Sequence, residues 1–178
     1  MMSKPEMIKG KRVYLRPMCE ADASYIVKWR NDPEIKKWMF NQQDLTIEGH
    51  LNWFHSLDFN ERLDYIICDL KSDTPIGTVN FVDINQGSAE GGKMLGNKDY
   101  WGGGYAKEAF LLWLKFGFYQ LKLKKIFIRT MATNQANIKL NERLGFKYVE
   151  ETTLSHNENM YKILIMELSA KEYQTHNE

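Results

Sequence analysis

The sequence is poor in the residues that mark specialised architectures. It holds two cysteines, Cys19 and Cys68, in 178 residues. That is too few for a disulfide framework, and their spacing suits no metal site. A reducing, cytoplasmic setting without a bound metal is the simplest expectation. No apolar run approaches the roughly 20 residues needed to cross a bilayer. The opening residues, Met-Met-Ser-Lys-Pro-Glu, lack the apolar centre of a secretory leader. Neither sign of charge prevails: 24 Lys and Arg face 23 Asp and Glu, a net +1. There is no basic stripe, so neither nucleic acid nor an anionic membrane is expected as a partner, and any anion must be recognised locally. No internal repeat, low-complexity tract or linker interrupts the chain. What remains is 43% hydrophobic and 26% charged, the composition of a soluble globular chain long enough for one proper core. Residues 1–178 therefore read as one domain, with its core over about residues 10–170.

Along the chain, Lys11–Pro17 alternates as a strand, with Val13 and Leu15 on one face and Arg12, Tyr14 and Arg16 on the other. Glu20–Trp29 has helical spacing and is ended by Asn31-Asp32-Pro33. A short helical turn follows over Glu34–Met39. Thr46 is a fitting N-cap for a helix through Leu57, with Leu51, Phe54 and Leu57 as its buried stripe. Asp64–Leu70 and Ile76–Ile84 read as a hairpin across the turn residues 71–75. Asn85–Ser88 turns the chain into a further strand. Ala106, Ala109, Phe110, Trp113 and Phe116 then recur at helical spacing, which predicts a central helix. Lys125–Met131 is a strand, Ala136–Leu144 a helix closed by Gly145, and Phe146–Thr153 with Met160–Leu168 a terminal strand pair. Clustered hairpins, with two long helices each following a strand, argue for a mixed sheet flanked by helices.

Chemistry concentrates between the last middle strand and the central helix, in Tyr-Trp-Gly-Gly-Gly-Tyr-Ala-Lys-Glu-Ala over residues 100–109. Gly102, Gly103 and Gly104 let a ligand approach the backbone. The helix start beyond them offers unpaired N–H groups and a positive dipole end. Together these suit a phosphate or pyrophosphate. The P-loop is excluded because no Gly-Lys-Ser/Thr occurs, and the dinucleotide fingerprint because its third glycine position is Lys107.

This stretch resembles the acyl-CoA loop of the GNAT N-acetyltransferase superfamily, Gln/Arg-x-x-Gly-x-Gly/Ala. Trp101 stands at the first position, as in the branch that resembles ribosomal-protein N-terminal acetyltransferases, and Gly104 and Ala106 at the last two. Downstream, Asn134-Gln135-Ala136-Asn137 and Glu142-Arg143-Leu144-Gly145-Phe146 resemble the second motif of that family. The element order also matches. The resemblance implies an α/β (α+β) GNAT fold, with a mixed, mostly antiparallel sheet of six to seven strands and about four helices. It implies acetyl transfer from acetyl-CoA to a primary amine by direct attack in a ternary complex. The cofactor would lie on Trp101, Gly102, Gly103, Gly104, Tyr105 and Ala106. Its pantetheine arm would add along Met94, Leu95 and Gly96, with Asn134 and Asn137 hydrogen-bonding it. Asn134 fits a helix N-cap equally well.

A neutral amine must attack, so a base must take its proton. Glu90, at the start of the cofactor strand, is the candidate; a solvated strand-end carboxylate is the alternative. His50 and His156 are weaker candidates. The Tyr that many GNAT enzymes use as general acid is replaced by Asn141, which cannot give up a proton. This departure keeps open a non-catalytic CoA-binding module.

The N-terminal third, Lys28-Trp29-Arg30, Trp38-Met39 and His50-Leu51-Asn52-Trp53-Phe54, resembles enzymes that acetylate nucleotide-linked amino sugars in pseudaminic-type acid biosynthesis. That resemblance makes Arg30, Met39 and His50 acceptor-binding positions. Individually, Trp29, Trp38 and Trp53 read as core. A nucleotide-linked amino sugar ranks first as acceptor, a protein N-terminus second and a polyamine third. Monomer and homodimer are both compatible with the sequence.

Overall fold

The computed structural model describes residues 7–156 and 158–177. Its frame is an eight-stranded sheet in the order β1-β2-β3-β4-β5-β6-β8-β7. The strands are β1 (Ile8–Lys9), β2 (Val13–Pro17), β3 (Leu63–Asp69), β4 (Pro75–Asn85), β5 (Ser88–Leu95), β6 (Lys125–Met131), β7 (Lys147–His156) and β8 (Asn159–Ser169). The helices are α1 (Ala23–Asn31), α2 (Pro33–Lys36), α3 (Ile47–His55), α4 (Tyr105–Lys115), α5 (Gln135–Arg143) and α6 (Ala170–Asn177). This is the expected mixed, mostly antiparallel sheet. It has one more strand than expected, because the two-residue β1 pairs with β2 at the edge. α6 has no counterpart in the sequence reading. It is anchored by Tyr173, whose ring lies 4.8 Å from that of Phe118.

β2, β3, β4 and β5 form an antiparallel meander. β5 then joins β6 in parallel through the crossover helix α4. A parallel neighbour demands a long connection of this kind. The crossover face buries Trp113 and Phe116 of α4 and the turn after it against Phe81 of β4, with the Phe81 and Trp113 rings stacked at 4.8 Å. Gly91 makes this possible, because a Cβ there would run into the Trp113 indole.

The opposite face is covered as well. Tyr14, on the face opposite Val13 and Leu15 as expected, is buried with Ile66 and Cys68 of β3 against Ile26, Trp29 and Ile35 of the first two helices. Alternation therefore holds in β2, with Val13 and Leu15 in one core cluster and Tyr14 in the other, and both faces are covered. α3 is capped as expected, with Thr46 Oγ1 accepting the N–H of Gly49 at 3.0 Å. It stops at His55, and its fully buried residue is His50; Leu51, Phe54 and Leu57 are only half-buried.

Candidate active site

The site begins where the sheet splits. β5 and β6 pair through Ser88–Lys125, Ala89–Ile126 and Glu90–Phe127, and the pairing ends there. β5 runs on to Leu95 and β6 to Met131. Past Glu90, the β5 edge that faces β6 is left without a strand partner and borders a cavity of about 1000 Å³. Such an edge can bond an extended, amide-bearing ligand as a sheet would.

Around this cleft the sequence-derived residues fall into three groups. Glu90, Met94 and Leu95 of β5, with Asn134 and Asn137 at the start of α5, line one part of the wall. Trp101, Gly102 and Ala106 of the glycine loop and the start of α4 also line it, as do Arg30, Met39 and His50 of the N-terminal third. Gly96 is buried behind the wall, where a Cβ would fall inside the Trp29 indole. The three tryptophans divide. Trp29 is core, whereas Trp38 and Trp53 line the cavity. The Arg62 guanidinium lies 4.9 Å above the Trp53 ring.

The glycine loop has the conformation that its composition suggests. Gly102 and Gly104 sit at φ of +76° and +80°, and Gly104 is the N-cap of α4. With no side chain at the cap, the first N–H groups of α4 are left for an external anion. The Gly103 carbonyl accepts a hydrogen bond from the Arg12 guanidinium at 2.9 Å. Gly104 borders a shallower recess with Arg12 and Lys107. Tyr105 carries the Arg12 guanidinium 4.5 Å above its ring and meets Tyr100 edge-on at 4.9 Å. Trp101 is half-exposed and donates its indole N–H to the Leu95 carbonyl at 2.9 Å, which ties the loop to the end of β5.

Glu90 is not a freely solvated strand-end carboxylate. Its side chain is 15% exposed and accepts from Arg129 Nε of β6 at 2.8 Å. Asn134 both caps α5, accepting from the Asn137 N–H at 3.2 Å, and borders the cavity. Asn141 stands outside the site. It is wholly buried beneath α5, donates to Met166 Sδ at 3.9 Å and does not line the cavity. The position expected to hold the general acid is thus a core position here. His156, at the end of β7, does not line the cavity either.

Three basic residues escaped the sequence reading. Arg12 supports the loop as described, and Arg129 holds Glu90. Lys93 of β5 directs its amine into the cleft, where Nζ donates to Asn137 Oδ1 at 2.7 Å and lies 5.3 Å from the Phe110 ring. Lys93 is half-buried in the cavity wall, and desolvation of the ammonium pushes its pKa down to about 7. Desolvation likewise lowers Arg30 and is the largest influence lowering His50, with Asp64 pulling the imidazole up and Arg30 pushing it down. The signal for Lys93 was a lysine on the Gly91 side of β5, a face that packs on the crossover helix.

An acetyltransferase (GNAT) domain model matches residues 12–147. An N-acetyltransferase of Bacillus licheniformis, p20, is 31% identical over 159 residues, covering 80% of this chain and 83% of that protein. A protein of Methanocaldococcus jannaschii is 30% identical over 161 residues, covering 87% of this chain but only 32% of the longer relative. Among solved structures, spermidine N-acetyltransferase from Vibrio cholerae, in complex with CoA and spermine, superposes with a TM-score of 0.84 at 20% identity, over 93% of this chain and 99% of that one. The overall fold is shared with that structure, and this chain belongs to the GNAT family as an N-acetyltransferase.

Proposed function

We propose that the chain transfers the acetyl group of acetyl-CoA to the primary amine of an anionic acceptor, a nucleotide-linked amino sugar, by direct attack in a ternary complex. Acetyl-CoA suits the residues present. The unpartnered edge of β5 can pair with its amide-bearing arm, and the α4 start with its left-handed glycine cap suits its pyrophosphate. The acyl donor supplies an activated thioester, and the protein supplies position and charge.

The observation that carries the acceptor reading is the charge balance of the cavity wall. Its carboxylates are already engaged: Asp64 by Arg62 at 2.6 Å, Glu90 by Arg129 at 2.8 Å, and Glu34 by Lys98. By contrast, Arg30 Nε and His50 Nε2 are buried without a hydrogen-bond partner. Buried donors left unpaired are costly and point to a ligand that completes them. A polycation would find no carboxylate free of a basic partner here, whereas a diphosphate or uronate would meet Arg30 in a cavity that Met39 and Trp38 also line, surfaces suited to a flat base. Glu90, held by Arg129 at the point where β5 and β6 part, accepts the proton of the attacking amine directly or through one water.

The test is release of free thiol from acetyl-CoA across three acceptors: a UDP-linked 4-amino sugar, peptides with free N-termini, and spermidine. Turnover on the sugar nucleotide alone is expected. Turnover confined to peptides or to spermidine overturns the acceptor assignment while leaving acetyl transfer intact.

A further inference from the structure

We propose that Lys93 is the group that meets the leaving sulfur, its ammonium donating a proton to the CoA thiolate as the carbon–sulfur bond breaks. The inference rests on the acetyl-CoA reading above and fills the gap that Asn141 leaves. Asn141 is sealed in the core and carries no transferable proton. Lys93 comes to the same region from the facing strand. Its Nζ bonds Asn137 Oδ1 at 2.7 Å, one helical turn before Asn141 on α5.

The amine is aimed by a chain of contacts. Asn137 Nδ2 donates to Thr130 Oγ1 of β6, which turns its Oδ1 toward Lys93. Phe110 of α4 closes the other side. The side chains set against the amine, Phe110 of α4 and Asn137 of α5, are uncharged, as is Thr130 of β6, which Asn137 contacts in turn. The nearby charges of the cavity wall on these two strands, Glu90 and Arg129, are spent on each other. An ammonium in such surroundings releases its proton readily and is neutral or charged at little cost near pH 7.

In the step itself the acceptor nitrogen bonds to the carbonyl carbon and loses its proton to Glu90. The carbon–sulfur bond breaks with its electron pair going to sulfur, and the sulfur takes a proton from Lys93 Nζ. Amide and CoA thiol are the products. Lys93 regains its proton from solvent when the thiol departs. A fixed cation beside the sulfur also favours the thiolate before the proton moves.

The experiment compares wild type with Lys93→Met and Lys93→Arg. CoA without an acetyl group is bound to each, and its thiol is titrated by thiolate ultraviolet absorbance, alongside calorimetric CoA affinity and kcat against pH. Lys93→Met is expected to bind CoA within a few-fold of wild type and to show much less bound thiolate near pH 7, where the wild-type ammonium is still populated. Its kcat should fall roughly a hundredfold, within the range of a lost general acid. Lys93→Arg keeps the thiolate signal, because the charge remains, but cannot release a proton and loses the pH dependence of kcat. Identical thiol titration in all three proteins overturns the proposal, as does an unchanged kcat in Lys93→Met. Thiolate that depends on Lys93 in a wild type without turnover on any amine would retain the contact and reject the acetyl-transfer reading. The arginine variant serves as the folded control should the methionine variant not fold.

Discussion

Glu108 holds Arg12 at two points: Oε1 accepts the Arg12 backbone N–H at 2.6 Å and Oε2 accepts its Nε at 3.0 Å. The same Oε1 also accepts the N–H of Lys11 at 2.8 Å. A carboxylate in the first turn of α4 thereby closes the start of β2 and places the Arg12 guanidinium against the Gly103 carbonyl and the Tyr105 ring. The glycine loop is thus held by a strand nearly a hundred residues earlier in the chain.

Glu108→Ala should therefore destabilise the fold by about 1–3 kcal/mol, the usual cost of stranding partly buried donors. Its urea midpoint should fall with an unchanged slope. Glu108→Gln retains one acceptor oxygen and should recover part of the loss. The pH dependence has a definite sign. Burial pushes the Glu108 carboxyl up, but hydrogen bonds from Arg12, Val13 and Lys11 together hold it below its ordinary value. Its stabilisation is then complete above the unfolded value near pH ~4. It is lost as pH falls through the folded value, so Glu108→Gln should show a flatter acid limb.

Gly104 caps α4 at φ +80°, a conformation that a β-branched residue adopts only with strain. Gly104→Val should weaken acetyl-CoA binding by calorimetry, both by shifting the α4 start and by crowding Arg12, whose guanidinium lies 3.2 Å from where a Cβ would sit. Gly102→Ala meets nothing within 4 Å and should cost only the backbone strain of about 1 kcal/mol. Equal affinity in the wild type and Gly104→Val would remove this loop from the binding site.

Lys93 makes a separate statement about stability. Its folded pKa of about 7 lies below the unfolded value of about 10.4. Between these values the unfolded chain binds more protons, so the lysine's penalty is full below pH ~7 and fades as pH rises toward 10. Replacing it by methionine removes that penalty. The melting temperature of Lys93→Met relative to wild type should be more favourable at pH 6 than at pH 9. A difference independent of pH would show that the ammonium is solvated.

Much of this architecture was legible because local pattern and tertiary demand agreed. The hairpin of β3 and β4, the Thr46 cap and the glycine-led start of α4 follow from turn chemistry and spacing alone. Alternation put Tyr14 opposite Val13 and Leu15 correctly, but could not say that this face is dry, because its cover, α1 and α2, comes from residues later in the chain. α6 was missed because its sequence, Ala170–Asn177, carries a single buried aromatic, Tyr173, and no apolar stripe. At the site, Arg30, Met39 and His50 lie far apart in sequence yet reach one cavity. Lys93 was hidden for the opposite reason. A strand lysine ordinarily signals solvent, and only the splitting of β5 from β6 turns this one into a cleft.

The acceptor side yields the sharpest prediction. Arg30 Nε is buried and unpartnered, so an anionic acceptor that reaches it gains a charge-assisted bond of about 1.5–3 kcal/mol. Arg30→Ala should lower kcat/KM for the sugar nucleotide by roughly 10- to 150-fold, with acetyl-CoA affinity unchanged by calorimetry. His50 should modulate the same contact. Desolvation is the main cause holding its imidazole below the ordinary histidine value, and the neighbouring Arg30 adds to it. His50 is therefore neutral at pH 7 in the free protein. An anion bound beside it favours the protonated form, so lowering the pH from about 7.5 toward 6 should tighten acceptor binding and reduce KM. His50→Gln should flatten that dependence and leave the profile of kcat in place. If Arg30→Ala and His50→Gln weakened acetyl-CoA as much as the acceptor, both residues would belong to the framework of the cavity, and the acceptor would have to find its anion site elsewhere.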